Sequence, residues 1–267
     1  MHTHTNFCDG KNTPRKMVEA AIEQGCTTLG FSGHSYSNVN GIDEWGMGVE
    51  AQRQYIEEIS ALKEEYRGRI EILLGIEQDY YSPLPERKYD YVIGSVHGVK
   101  TSGGYFNVDN TFEELKGAVD AYYGGDVMGA VRDYYTLVAD VVNKTDCDII
   151  GHFDLITKFN EKNRLIYTSS EQYRSIALEA LDALIPTGRL FEINTGAMSR
   201  GYKTKPYPEN FILRRIAERG ADVIITSDSH RKDTILYGFE DAVEYARSCG
   251  VKHICVYKNS KIEKISI

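Results

Sequence analysis

Short apolar runs rich in β-branched and aromatic residues recur along this 267-residue chain, and segments of helical period separate them. The runs fall at 28–32, 70–76, 89–94, 148–151, 190–194, 222–226 and 253–257. Between them, 14–24 sets Met17, Ala20, Ala21 and Gln24 on one stripe, with Thr13 as cap and Pro14 at the first helical position. The segment 50–66 aligns Tyr55, Ile59, Leu62 and Tyr66 in the same way. Segments 111–123, 127–144, 169–183, 208–219 and 240–249 follow suit. Strand then helix at this spacing is the pattern of βαβ units around a parallel sheet. Seven or eight such units favour a closed (β/α) barrel over an open doubly wound sheet. No G-x-G-x-x-G and no Walker loop supports nucleotide binding.

Composition narrows the function classes. Lys plus Arg number 31 against 39 Asp plus Glu, a formal charge of −8, and no basic run offsets it. Nucleic acid and anionic membranes are therefore not expected partners. The five cysteines include no CxxC pair, which argues against a disulfide framework and a thiolate zinc site. No signal-peptide pattern and no apolar run approaching a membrane span is present, so a reducing, cytoplasmic setting is expected. No linker or repeat divides the chain, so residues 1–267 are expected to form a single domain. Oligomeric state is not legible.

The histidines carry the functional signal. Six of the seven sit at or just past the C-terminal end of an expected strand: His2, His4, His34, His97, His152 and His230. In a barrel those ends open onto one face, where the chemistry is done. His2 and His4 are two apart, as are Asp228 and His230, so each pair projects to one side of an extended segment. Asp9, Glu77 and Asp228 fall in the same places. A histidine after a strand is ordinarily solvated or hydrogen-bonded in a core. His253, which opens the last run, is read that way and given no role. Imidazole and carboxylate together suit zinc, iron or manganese, whereas magnesium and calcium want mostly oxygen. Nine ligands are too many for one ion, so two or three divalent ions sharing a bridging carboxylate are expected, with no organic cofactor.

The stretches HTHTNFCDG, FSGHS, GIEQDY, GSVHG, GHFDLITKF, EINTGAMSRGYK and SDSH, in this order, resemble the PHP (polymerase and histidinol phosphatase) superfamily. The resemblance spans nearly the whole chain, and the intervening stretches are most similar to its histidinol-phosphate phosphatase branch. It implies a distorted (β/α)7 barrel, TIM-like, with a trinuclear metal site at the C-terminal face of the strands. By similarity, His2, His4, Glu77 and Asp228 would hold one ion. Glu77 would bridge to a second held by His97 and His152, and Asp9, His34 and His230 would hold the third. Family members usually carry a few residues before the HxH. Here His2 follows Met1 directly, which leaves two readings: a frayed first strand that would weaken the site His2 and His4 build, or a true start that lies upstream.

The implied reaction is hydrolysis of L-histidinol phosphate in histidine biosynthesis. A metal-bridging hydroxide would attack phosphorus, with Asp228 shuttling a proton and His230 assisting. Phosphate also wants fixed positive charge. Arg200 is the first choice, Lys158 and Arg164 the second, and Lys203 and Lys205 weaker ones. The segment 35–49, with Asp43, Glu44 and Trp45, would cover the barrel mouth and meet the imidazole or ammonium, or Trp45 would simply pack under a loop. Cys8 reads as a small buried thiol rather than a ligand. Three alternatives remain: a PHP phosphoesterase acting on a nucleotide or sugar phosphate, a non-catalytic PHP module, and an amidohydrolase. The filled ligand positions weigh against the second. The lack of a strand ending in Lys weighs against the third.

Overall fold

The computed structural model describes residues 1–37, 39, 45–84, 89–259 and 261–267. In chain order the helices are α1 (Pro14–Glu23), α2 (Val49–Glu65), α3 (Phe112–Tyr123), α4 (Val127–Thr145), α5 (Asn160–Asn163), α6 (Glu171–Leu184), α7 (Gly196–Ser199), α8 (Asn210–Glu218) and α9 (Phe239–Ser248). The strands are β1 (Thr28–Phe31), β2 (Glu71–Asp79), β3 (Tyr91–Ser95), β4 (Gly98–Thr101), β5 (Gly104–Asn107), β6 (Ile149–Ile150), β7 (Leu190–Asn194), β8 (Val223–Thr226), β9 (His253–Lys258) and β10 (Lys261–Ser266).

Strands β1, β2, β3, β6, β7 and β8 pair in that order, all parallel, with their helices packed outside. The N-terminal segment then joins the two ends of this curled sheet at its C-terminal rim. Ser32 N–H donates to the Thr3 carbonyl (2.9 Å), His4 N–H to that of Ser229 (2.8 Å), and Ser229 N–H to that of His2 (3.1 Å). Thr3 and Ser229 form a parallel bridge. Seven staves result, a distorted (β/α)7 barrel. The first stave is short but not frayed, since His2 and His4 have no exposed surface.

Two features differ from the expectation. The last run is not a full stave: β9 meets β8 only at Ile224 and Cys255, then turns back antiparallel into β10. A second hairpin, β4–β5, follows His97.

The strands bury both faces by a period of two. On β2, Ile72, Leu74 and Ile76 join the large core under the helices, while Leu73 joins a smaller core inside the barrel. The inner core continues through Tyr91, Ile93, Ile149, Leu190, Ile224 and Cys255, with Met1 and Tyr257 against it. Gly75 leaves room for the Tyr91 ring, because a Cβ there would lie 2.3 Å from that ring's Cζ. The Tyr91 hydroxyl donates to the carbonyls of Met1 and Phe31. Inward-facing residues nearer the rim are polar, and they build the site. Among the described residues no helix is long and apolar enough to cross a membrane.

Candidate metal centre

Glu77 stands at the centre of the rim. It is the seventh residue of β2, on the inward parity of Leu73 and Gly75, and it is 1% exposed. Its two oxygens face different imidazoles. Oε1 lies 3.0 Å from His152 Nε2 and 3.3 Å from His97 Nε2. Oε2 lies 3.1 Å from His2 Nε2, 3.4 Å from His4 Nε2 and 2.9 Å from His34 Nδ1. His34 follows β1, His97 follows β3, and His152 follows β6, so neighbouring staves deliver them to one point.

Asp228 and Asp9 extend the cluster to either side. Asp228 Oδ1 lies 3.3 Å from His4 Nε2, 3.8 Å from His2 Nε2 and 3.5 Å from His230 Nδ1. It adopts a left-handed backbone (φ 45°), a conformation uncommon outside glycine and frequent at functional sites. Asp9 lies 3.0 Å from His230 Nε2, 3.6 Å from His34 Nε2 and 3.7 Å from His4 Nδ1. Three overlapping sets thus have donor atoms close enough to share an ion: His2, His4 and Asp228; His34, Glu77 and His97; and His4, Asp9, His34 and His230. His253 is exposed and far along the chain at β9, outside all of these.

Among the described residues eight buried side-chain nitrogen or oxygen atoms lack a partner, and six belong here: His2 Nε2, His4 Nε2, Asp9 Oδ1, His34 Nδ1, Glu77 Oε2 and His152 Nδ1. Buried polar atoms are normally bonded, so such a concentration marks a place for something else. The orphaned nitrogens of His2, His4 and His34 converge on Glu77 Oε2, an arrangement that suits a metal ion. The electrostatics agree. Burial pushes the Glu77 carboxyl up, but His2, His34, His97 and His152 together hold it well below the usual carboxylate range. Burial likewise opposes ionisation of Asp228, and Arg200 and His2 outweigh it. Burial disfavours the His2 cation, yet Glu77, Glu192 and Asp228 raise its pKa well above the ordinary value. His4 goes the other way, to about 3, through burial and the neighbouring His230 and His34.

Beside the cluster opens a cavity of about 230 Å³, lined in part by Asp9, Glu77, Asp228, Arg200, Lys158 and Trp45. Arg200 caps α7, and its Nη2 donates to Asp228 Oδ2 at 3.0 Å. Gly196 allows this approach, since a Cβ there would lie 2.6 Å from Asp228 Oδ2 and 2.9 Å from Arg200 Nη2. Lys158 also lines the cavity, with its amine bonded to the Asp109 carbonyl (2.6 Å) and carboxylate (3.1 Å). Arg164 is not brought in. It is exposed, caps α5 in a left-handed conformation, and does not line the cavity. Lys203 is buried elsewhere, bonded to Thr157 and Glu209, and Lys205 lines a separate cavity. The Trp45 ring meets His34 and His97 edge-on at 4.3 and 4.9 Å. Asp43 and Glu44 lie outside the described residues. Cys8 Sγ sits 3.5 Å from His4 Nδ1, and burial pushes its thiol up to about 12, so it is a poor thiolate ligand.

Two buried carboxylates in this region, Glu192 and Asp79, escape the strand-end argument. Each contacts the back of a histidine: Glu192 Oε1 lies 2.6 Å from His2 Nδ1, and Asp79 Oδ2 lies 3.2 Å from His97 Nδ1. A signal existed. Glu192 is the one charge inside the apolar run 190–194, and Asp79 follows Glu77 on the same parity.

Known proteins match the chain along its length. The PHP domain matches residues 1–196. A probable histidinol-phosphatase of Deinococcus radiodurans is 32% identical, covering 98% of this chain and 97% of the relative. The histidinol-phosphatase of Bacillus subtilis is 27% identical over 91% of this chain and 97% of its own length. The crystal structure of a histidinol phosphate phosphatase from Lactococcus lactis, complexed with zinc, L-histidinol and phosphate, superposes with a TM-score of 0.73. That match covers 98% of this chain and 97% of that one at 23% identity, and it supports the barrel fold. The rim of histidines, the barrel beneath it and these full-length matches lead to one assignment: the chain belongs to the PHP domain family.

Proposed function

We propose that this chain hydrolyses L-histidinol phosphate to L-histidinol and inorganic phosphate, with two or three divalent transition-metal ions held by the rim cluster. The observation that carries the reading is the division of Glu77, whose Oε1 faces His97 and His152 while Oε2 faces His2, His4 and His34. A carboxylate divided in this way suits a bridge between two cations. The substrate is supported by the near-complete length over which the chain matches relatives named histidinol-phosphatase.

In this reading His2, His4, Glu77 and Asp228 hold one ion, Glu77, His97 and His152 a second, and Asp9, His34 and His230 a third. The mixed imidazole and carboxylate donors suit zinc, iron or manganese. Such ions lower the pKa of bound water toward neutrality and offset phosphoryl charge. Arg200 supplies a planar, permanently charged fork beside Asp228 and would bind the phosphoryl oxygens. Lys158 stands second to it, because its amine is already committed to Asp109. Asp228, between Arg200 and the imidazoles of His4 and His230, would hold and pass on the proton, with His230 assisting. Residues 1–267 would act as one cytoplasmic domain on a small phosphate ester, needing no organic cofactor, nucleic acid or membrane.

A panel of phosphomonoesters tests this. We expect kcat/KM for L-histidinol phosphate to exceed that for p-nitrophenyl phosphate and for nucleotide or sugar phosphates by on the order of 100-fold, since polar leaving-group contacts discriminate strongly. Equal turnover across the panel would overturn the substrate assignment.

A further inference from the structure

Glu192 and Asp79 hold no place in the ligand sets above, yet each is about as buried as Glu77, at 1% exposure. We propose that both are positioning residues for the metal cluster: each accepts the Nδ1 proton of one histidine, His2 or His97, and so fixes the tautomer whose bare Nε2 faces Glu77. This rests on the metal-dependent reading of the rim.

The proton assignment follows from counting donors. Glu192 Oε1 accepts from Thr226 Oγ1 (2.6 Å), and Oε2 accepts from His152 N–H (2.6 Å) and Asn194 Nδ2 (3.0 Å). His2 Nδ1 lies 2.6 Å from Oε1 and completes the four acceptor positions of an ionised carboxylate. A nitrogen facing such a group carries the hydrogen. A metal-binding imidazole is the neutral ring, which has one hydrogen, so with Nδ1 protonated Nε2 is left as a lone pair. That lone pair points toward Glu77 Oε2 at 3.1 Å, and neither atom has a hydrogen-bond partner. Two electron-rich atoms held together this way repel unless a cation lies between them, either a metal ion or, in its absence, a second ring proton on Nε2. Asp79 repeats the device. Its Oδ2 meets His97 Nδ1 at 3.2 Å and the His97 N–H at 3.4 Å, while Tyr81 N–H donates to Oδ1 at 2.8 Å. His97 Nε2 then faces Glu77 Oε1 at 3.3 Å. One outer carboxylate therefore serves each oxygen of the bridge. Outer carboxylates of this kind raise ligand basicity and fix ring orientation.

Glu192 also ties together four adjacent staves, so a purely structural role is the rival. Three variants separate the two. In Glu192→Gln one half of the amide becomes a donor and can no longer receive both pairs of donors. Asp79→Asn makes the same change at His97. Thr226→Val removes a bond to Glu192 but leaves the one from His2. Zn²⁺ affinity is measured by chelator competition on the full chain, bound metal by elemental analysis, and apo-protein folding by circular dichroism. We expect Glu192→Gln and Asp79→Asn each to weaken Zn²⁺ binding by about 10- to 100-fold. We expect each to shift the visible absorption bands of the Co²⁺-loaded protein, and Thr226→Val to leave both readouts near wild type. Wild-type affinity and an unshifted Co²⁺ spectrum in both carboxylate variants would overturn the proposal. So would an equal loss in Thr226→Val. Should Glu192→Gln fail to fold, Asp79→Asn, which joins fewer staves, decides it alone. If the wild-type chain itself binds no Zn²⁺ or Co²⁺, the metal reading of the rim fails first and is identified as the cause.

Discussion

Arg200 is the residue on which a phosphate site would most depend. It is the cavity-lining arginine whose guanidinium already lies against the rim, donating to Asp228 Oδ2 and to the Asp228 carbonyl. Arg200→Ala should raise KM for phosphate esters about 10- to 100-fold, the worth of one charge-assisted hydrogen bond, and change kcat less. Steady-state kinetics check this, and an unchanged KM would move the phosphate contact to Lys158. Asp154 offers a different prediction. It is fully buried, its Oδ1 has no partner, and the nearby Lys203 amine bonds to Thr157 and Glu209 instead. Burial, only partly offset by Lys203, pushes its pKa up to about 6 from an ordinary 3.8. A carboxyl raised on folding favours stability below the unfolded value and loses that contribution as pH climbs through the folded one. Asp154→Asn keeps a carbonyl for the Glu209 N–H and cannot ionise. The variant should therefore exceed the parent at about pH 8, by up to about 3 kcal/mol, and lose that advantage near pH 4, as read by denaturant titration. At this scale the histidines were legible because six imidazoles at strand ends have few other uses. Glu192 and Asp79 were not, because a carboxylate in a strand reads as a solvent-facing residue until both faces of the strand are known to be buried.

The inner face of β2 shows what the elements contribute. Leu73, Gly75 and Glu77 point into the barrel in succession, apolar below and ligand above, with the missing side chain of Gly75 filled by the Tyr91 ring. Tyr91 cannot withdraw easily, because its hydroxyl is bonded to two backbone carbonyls. Gly75→Ala should cost about 1–3 kcal/mol by overpacking, and it should disturb Glu77 two residues on. Thermal unfolding and bound-metal analysis of that variant check both effects. Seven strand runs and seven long helical segments were readable from period alone, with boundaries within a few residues. The β4–β5 hairpin, β10 and the reduced role of β9 were not. Their pairings depend on which neighbour is present: β9 finds only Ile224 on β8, so it completes its bonding with β10.

For the whole molecule, closure of the barrel and assembly of the site are the same event. The N-terminal segment carries His2 and His4, and its backbone bonds to Ser32 and Ser229 join the first and last staves. Unsatisfied buried atoms of His2, His4, Asp9, His34 and Glu77 meet there, so the folded apo chain holds a cost that bound cations would remove. Exhaustive chelation should lower the melting temperature by several degrees, and Zn²⁺ or Mn²⁺ should restore it in a concentration-dependent way. A melting temperature indifferent to chelator and metal would count against a filled rim.

The order of the seven strand runs and seven long helices, the shared side of His2 with His4 and of Asp228 with His230, and the chemistry of the nine rim residues were carried by local pattern: a period of two, a period of 3.6, and ligand types at strand ends. Those are properties of neighbours in the chain, so the sequence suffices to read them. Contacts between distant segments are different. That Glu77 divides its oxygens between two groups of histidines, that Glu192 reaches His2 across 190 positions, and that Arg164 turns outward while Arg200 turns in are outcomes of barrel closure. They depend on curvature and on which staves lie side by side, and no window along the chain contains that information.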